Sequence, residues 1–243
     1  MWDIDLKCDK MNKTNLQIIF EDAKMFVCNK PIGVLAQSGK SFDVDMVSAL
    51  MTYKKMKGED TFVGVINRLD RQVGGLMVFA KTKEQAAILN KLMQQNEFNK
   101  HYYAVVCGKL DEDKGTFVDY LLKNGKTNTS TVVSNDIKDS KRAELEYEVI
   151  KSIIDENTGK NLTLVKIRLI TGRHHQIRVQ FAVRGLPLEG DSKYGDADTI
   201  SMNDKSSLHK NCADGIALCA YSLQIRKQEF EIEPEASIFK MFE

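Results

Sequence analysis

The chain has little that would point to a metal, a membrane or a disulfide framework. Its 243 residues include only five cysteines, four histidines, three prolines and one tryptophan. Cys8, Cys28, Cys107, Cys212 and Cys219 form no C-x-x-C or C-x-x-H pair, so no metal site, zinc included, is expected. An odd cysteine count with mostly apolar neighbours suits reduced thiols in a cytoplasmic protein. No apolar run approaches the ~20 residues that a bilayer-spanning helix needs. The opening Met1-Trp2-Asp3-Ile4-Asp5-Leu6 carries acids and no long apolar core, unlike a secretory leader. A large net charge is also lacking, because cations and acids nearly balance. A net charge of +1 gives no global field that announces a nucleic acid.

Locally the balance differs. Residues 61–110 carry seven cations (Arg68, Arg71, Lys81, Lys83, Lys91, Lys100, Lys109) against Asp70, Glu84 and Glu97. Residues 171–185 hold three arginines and no acid, while the segment from Glu229 to Glu235 is acidic. Both a basic cleft and an ordinary mixed surface fit these counts. The length allows one large domain or two small ones.

Strand-like runs dominate: Leu16 to Phe20, Met25 to Cys28, Phe62 to Ile66, Leu76 to Ala80 and Leu162 to Ile170. Ala143, Leu145, Tyr147 and Val149 alternate with Glu144, Glu146 and Glu148, the pattern of a half-buried strand. A late strand is expected over Ile216 to Ile225, and a short one at Phe230 to Ile232. Helical spacing covers Asp43 to Lys57, stopping at Gly58. A second helix starts at Thr82, which sits three residues before Gln85 as in a capping box. A third, short helix is expected over Arg173 to Arg184, ending at Gly185. Asn29 to Gly33 reads as a turn. Lys123 to Ser130 reads as a loop, and Asp196 to Asp214 as a polar, mobile insertion. Many strands with few helices indicate an α+β fold, a largely antiparallel sheet with helices packed on it.

The most informative stretch is Asn67-Arg68-Leu69-Asp70-Arg71-Gln72-Val73-Gly74-Gly75. It places one carboxylate between two guanidiniums, with a strand-like run on each side. Flanking guanidiniums favour an ionised carboxylate and suit a polyanionic substrate. The same residues would serve equally to fix a turn through an Asp70–arginine pair.

This stretch resembles the H-R-L-D-R-x-T-S-G signature of the RluA family of RNA pseudouridine synthases. Three more segments resemble family motifs in the right order: Lys100 to Gly108 (K-x-Y-x-A-x-V-x-G), Thr171 to Arg178 (T-G-R-x-H-Q-I-R) and Gly185 to Gly195 (G-x-P-x-x-G-D-x-x-Y-G). Leu218 to Leu223 is a weaker match. The resemblance implies the pseudouridine synthase fold, a long, bent, mixed and mostly antiparallel sheet flanked by helices, with a central cleft. It implies a single catalytic domain over 16–243 after an N-terminal extension over 1–15, without the small S4 RNA-binding module of many relatives. By resemblance Asp70, Tyr102 and Arg178 are catalytic. Arg68, Arg71, Arg173, Lys193 and Tyr194 would meet RNA, while His175 and Gln176 would be scaffold. Tyr103 would face the opposite side of its strand from Tyr102. His174 and His175, read as neighbours on a helix, would diverge by about 100° and so not share a metal.

The implied reaction converts uridine in ribosomal or transfer RNA to pseudouridine, with no cofactor, and the resemblance fits a monomer. Five positions depart from the family pattern: Asn67, Val73, Gly74, Gln180 and Cys219. Loss of Thr and Ser hydroxyls at Val73 and Gly74, and the flexibility of Gly74-Gly75, would loosen the Asp70 turn. Two other readings compete. One is a non-catalytic RNA-binding or ribosome-assembly protein that keeps the fold. The other is a glycosidic hydrolase, with Asp191 the one further acid in a motif, in a setting that looks structural.

Overall fold

The computed structural model describes residues 16–38, 45–95, 97–195 and 215–243. The expected N-terminal extension over 1–15 and the polar stretch 196–214 lie outside them. In chain order the elements are β1 (Gln17–Glu21), β2 (Met25–Lys30), α1 (Met46–Met56), β3 (Gly64–Val65), β4 (Gly74–Ala80) and α2 (Lys83–Gln94). Then come β5 (Phe98–Cys107), β6 (Lys114–Asn124), β7 (Thr129–Val133), β8 (Lys141–Ile154) and β9 (Asn161–Leu169). The last are α3 (Gln176–Ala182), β10 (Leu218–Ile225), β11 (Gln228–Glu231) and α4 (Ser237–Lys240). Many strands and short helices make this an α+β fold. Among the described residues, no helix is long and apolar enough to cross a membrane.

The chain divides into two compact units. One runs to Asn99 and takes in Ala220–Pro234; the other comprises Lys100–Cys219 and Glu235–Glu243. In the first, strands lie in the order β1-β2-β4-β10, with β3 on β4 and β11 on β10. All six residues of β2 are buried, because both faces of the strand are covered. Met25 and Val27 of β2 and Leu76, Val78 and Ala80 of β4 share one face by strand alternation. There they pack with Leu89 and Leu92 of α2. Phe26, on the other face, meets Tyr53 of α1 edge-on at 6.0 Å. The helix starts are chemically marked. Asp45 caps α1 in a reciprocal box with Ser48, and Thr82 caps α2 by accepting from the Gln85 N–H.

In the second unit the order is β5-β9-β8-β6-β7, antiparallel throughout. The expected loop over Lys123 to Ser130 is smaller than its polar composition implied. Asn124 pairs with Thr129 across a tight β6–β7 turn, and only residues 125–128 lie outside the ladder. Helix α3 is also shorter than Arg173 to Arg184. It ends in a Schellman arrangement in which Gly185 (φ +73°) donates to Ala182 and Leu186 donates to Phe181. Val179 of α3 packs on Leu121 and Ala143, which seats the helix on the sheet.

An ion-pair network ties the first unit together. Glu21 accepts from Lys57 Nζ and Lys81 Nζ, both at 2.9 Å, and from Tyr53 Oη at 2.8 Å. Burial pushes this carboxyl up, but the three hydrogen bonds outweigh it and bring the group down to about 2. A carboxyl with a depressed folded-state pKa stabilises the fold above its unfolded value, and that contribution disappears as pH falls through the folded one. Glu21→Gln should therefore unfold more easily than the parent at pH 7, by on the order of 1 kcal/mol after solvent screening. The gap should close between about pH 4.5 and pH 2, followed by urea melts across that range. A gap that stayed constant with pH would show that the network is not the source.

Candidate active site

Asp70 sits on the turn that joins β3 to β4. Leu69 and Val73 are buried and anchor the turn, while Arg68, Arg71 and Gln72 are exposed and Asp70 is half-buried between them. The turn closes through the Val73 N–H, which donates to Asp70 O at 3.1 Å. On its upstream side, the Asn67 side chain behaves like an added strand residue. Its amide donates to Leu76 O at 3.2 Å, and its Oδ1 accepts from the Val78 N–H at 2.7 Å.

A buried cation grips the downstream side. Lys30, the last residue of β2, is fully buried. Its Nζ donates to Val34 O (2.8 Å), Pro31 O (2.9 Å) and Arg71 O (3.3 Å). Gly33 N–H also donates to Arg71 O at 2.8 Å, and Arg71 Nε donates back to Gly33 O at 2.9 Å. Burial pulls the Lys30 amine down to about 7; the Asp70 charge opposes this and the Arg71 charge adds to it. So Asp70 lies within electrostatic range of a lysine that the sequence reading placed only in a turn. The signal was present in sequence: one lysine closes a run whose other residues are nearly all apolar, directly before a Pro-x-Gly turn.

The glycine pair does not loosen this turn as its composition suggested. Gly75 is buried at φ +125°, and a Cβ there would stand 2.5 Å from Ala220 N and O. Glycine is required because two backbones approach closely, and that approach holds the strand start still. Val73 replaces the lost hydroxyl with a core contact.

In the second unit, β5 alternates cleanly. Lys100, Tyr102 and Ala104 are on its buried face, with His101 and Tyr103 on the other. An open groove of about 460 Å³ bounded by His101, Glu146, Lys166 and Arg168 is therefore on the side away from Tyr102.

Arg178 lies in α3 and makes a two-pronged ion pair. Its Nε is 2.7 Å from Asp191 Oδ2 and its Nη2 is 2.8 Å from Oδ1, with both residues buried. Asp191 Oδ1 also accepts from the Lys193 and Tyr194 N–H groups at 3.0 and 3.3 Å. With four donors on one buried carboxylate, Asp191 is a structural anchor, which removes the acid that a hydrolase reading would need. Tyr194, expected to meet RNA, is engaged within its own unit. Its hydroxyl accepts from Ser130 N–H at 2.8 Å and lies 2.7 Å from His175 Nδ1. Its ring carries the Arg178 guanidinium at 5.1 Å. Lys193 reaches Asn128 O at 3.2 Å.

The two histidines differ from their expected placement. They precede α3 rather than lying on it, and their rings stack at 3.7 Å instead of diverging. His175 adopts a left-handed conformation (φ 53°), which turns the chain into the helix. His174 is placed by Ser130 Oγ and Asn128 Oδ1 at 2.9 and 3.1 Å. Gln176 acts as scaffold. It accepts from Thr171 Oγ1 and Arg173 N–H and donates to Glu144 O, fixing the turn that presents the exposed Arg173. Asp70 belongs to the first unit, whereas Tyr102, Arg173, Arg178, Lys193 and Tyr194 belong to the second.

The family model for RNA pseudouridylate synthase matches residues 24–183. The chain belongs to that family. It is 33% identical over 197 residues to the uncharacterized RNA pseudouridine synthase YhcT of Bacillus subtilis, covering 81% of this chain and 62% of that protein. It is 30% identical over 209 residues to ribosomal large subunit pseudouridine synthase C of Rickettsia conorii, covering 86% of this chain and 66% of the relative. The chain thus spans just under two thirds of the length of these relatives. Human RNA pseudouridylate synthase domain containing 4 shares the fold, with a TM-score of 0.72 at 21% identity over 96% of this chain and 93% of that structure.

Two substitutions test the geometry. Gly75→Ala should destabilise the protein by about 3 kcal/mol or more, since both φ and the Ala220 backbone oppose a Cβ. A near-neutral denaturant melt would refute the close approach. Asp191→Asn removes the buried carboxylate on which the Arg178 fork is seated and should cost about 3–5 kcal/mol. A loss below 1 kcal/mol would show that the pair is dispensable.

Proposed function

We propose that the protein isomerises uridine to pseudouridine within RNA, with Asp70 as its essential carboxylate. The clamp on the Asp70 turn carries this reading. Within the span matched by the family, Lys30, Asn67 and the Arg71–Gly33 pair hold one half-buried carboxylate in place. Exposed Arg68 and Arg71 stand on either side of it. A fixed carboxylate in a cationic setting suits chemistry at a nucleotide.

The reaction is redox-neutral and internal to one nucleotide. The C1′–N1 bond breaks, the base turns, and C1′–C5 forms; the C5 proton leaves to solvent and N1 takes up one. Such chemistry needs neither a metal nor an organic cofactor. It does need the nucleotide out of its stack, which costs a few kcal/mol and least in loops. Tyr102 offers a ring to stack on the extruded base and a phenol to accept a proton late. Arg178 supplies a guanidinium whose direction Asp191 sets. Arg68, Arg71 and Arg173 serve the backbone phosphates. We assign Tyr194 to holding Arg178 and His175 rather than to RNA.

Ribosomal RNA is the favoured substrate, because the Rickettsia relative is named for the large ribosomal subunit. Transfer RNA is the competing class. We infer a cytoplasmic monomer. Cys28 and Cys219 are buried thiols outside any disulfide, which suits a reducing compartment.

The test is release of tritium from C5-labelled uridine in RNA without added cofactor. Asp70→Asn should lower the rate by more than about a thousandfold and leave RNA binding in place. Turnover by that variant at the parent rate, or no release by the parent on ribosomal or transfer RNA, would reject the proposal.

A further inference from the structure

Lys100 is a buried cation that the proposed chemistry leaves unused. It is 6% exposed, on the same face of β5 as Tyr102 and two residues before it. Among the described residues no acceptor lies within hydrogen-bonding distance of its Nζ. The unpartnered side-chain atoms that are sealed from solvent are Lys160 Nζ, Gln180 Oε1 and Ser222 Oγ, so Lys100 Nζ keeps a route to solvent. That route passes Gly172. A Cβ at Gly172 would stand 3.4 Å from Lys100 Nζ, and Gly172 is itself exposed. The ammonium thus lies just beneath a patch of surface with no side chain over it.

Its neighbour in charge is another cation. Arg173 follows Gly172, and its Nε donates to Arg142 O at 2.8 Å, which fixes the guanidinium plane. Among the described residues neither Nη of Arg173 has a protein partner. The nearby carboxylate of Glu144 is paired with Arg142. Burial first, and then the Arg173 charge, hold the Lys100 amine below its ordinary range. An anion placed here would relieve both effects and meet the donors that the protein leaves unmet. Uncompensated charge on two cations matches a phosphate better than a neutral base carbonyl.

We propose that Lys100 and Arg173 together hold one phosphodiester of the substrate RNA beside Tyr102, over Gly172. This rests on the protein being an RNA-modifying enzyme, and it adds the anchor that registers the strand against Tyr102. Lys100 is then a binding residue and takes no part in proton transfer.

The experiment is filter binding of a fixed ribosomal RNA fragment to the parent, Lys100→Met and Lys100→Arg across a salt series, with thermal melts of each. Loss of one phosphate contact should weaken binding about tenfold near physiological salt and reduce the slope of log affinity against log salt by roughly 0.7–0.9. Lys100→Arg should keep most of that slope. Lys100→Met should melt at or above the parent, because it removes an unpaired buried charge. An unchanged slope in Lys100→Met, or a melting point well below the parent, would overturn the assignment. Tritium release separates the two proposals. A parent that turns over while Lys100→Met keeps the full slope defeats only the phosphate site. A parent that fails to turn over but loses slope with Lys100→Met defeats only the isomerase reading.

Discussion

A cation withdrawn from water must recover the hydrogen bonds it gave up, and how this chain meets that demand shapes both of its units. The cost of burial is several kcal/mol per ion after relaxation. Lys30 is repaid by three backbone carbonyls and Lys54 by two, Phe62 O and Lys81 O. Carbonyls satisfy an ammonium without cancelling its charge. A carboxylate partner would have made Lys30 electrically silent. Instead it locks residues 31–34 to the Asp70 turn and leaves a positive field that Asp70 feels. Position and electrostatics thus come from one side chain.

Arg178 meets the same demand by the opposite route. Its fork on Asp191 neutralises charge and fixes direction, and the same carboxylate collects the Lys193 and Tyr194 N–H groups. Tyr194 then covers the guanidinium with its ring and anchors His175, whose left-handed backbone starts α3. Helix, loop and histidine stack therefore depend on a single buried ion pair. Such pairs are weak sources of net stability, but breaking one side is costly. That asymmetry suits a site that must hold a geometry rather than gain free energy.

Much of this was legible in the chain itself. Alternation along β5 put Tyr102 and Tyr103 on opposite faces, Thr82 marked the start of α2, and the motif order identified the fold. These signals are local, because a strand or helix imposes its period on its own residues. What stayed hidden depends on distant partners. Lys30 reads as part of a turn until its acceptor 41 residues away is seen. Tyr194 reads as a cleft residue until Ser130, 64 residues upstream, claims its hydroxyl. The stacked His174 and His175 were misplaced because the helix was extended three residues too far, through a turn that Gln176 builds with its side chain. The second glycine of the Gly74-Gly75 pair suggested slack, since composition reports conformational freedom and not the backbone packed against it.

Three of the departures from the family pattern, Asn67, Val73 and Gln180, are explained by contacts within their own units. Asn67 replaces a histidine and joins the β4 ladder through both ends of its amide. Val73 replaces a hydroxyl residue and is nearly fully buried. Gly75, which matches the family pattern, permits the approach to Ala220, which a side chain would block. Gln180, where a histidine is usual, donates to Asp119 Oδ2 at 2.7 Å, and Asp119 also pairs with Arg184. Hydrogen bonds lost with the hydroxyls are thus replaced by a ladder contact, a core contact and the Lys30 clamp, all of which act on the backbone. A turn held by its backbone constrains where Asp70 starts and leaves the side chains of Arg68 and Gln72 exposed beside it. Within this chain, the departures at Asn67 and Val73 therefore act on the backbone that places the carboxylate, not on the exposed side chains beside it.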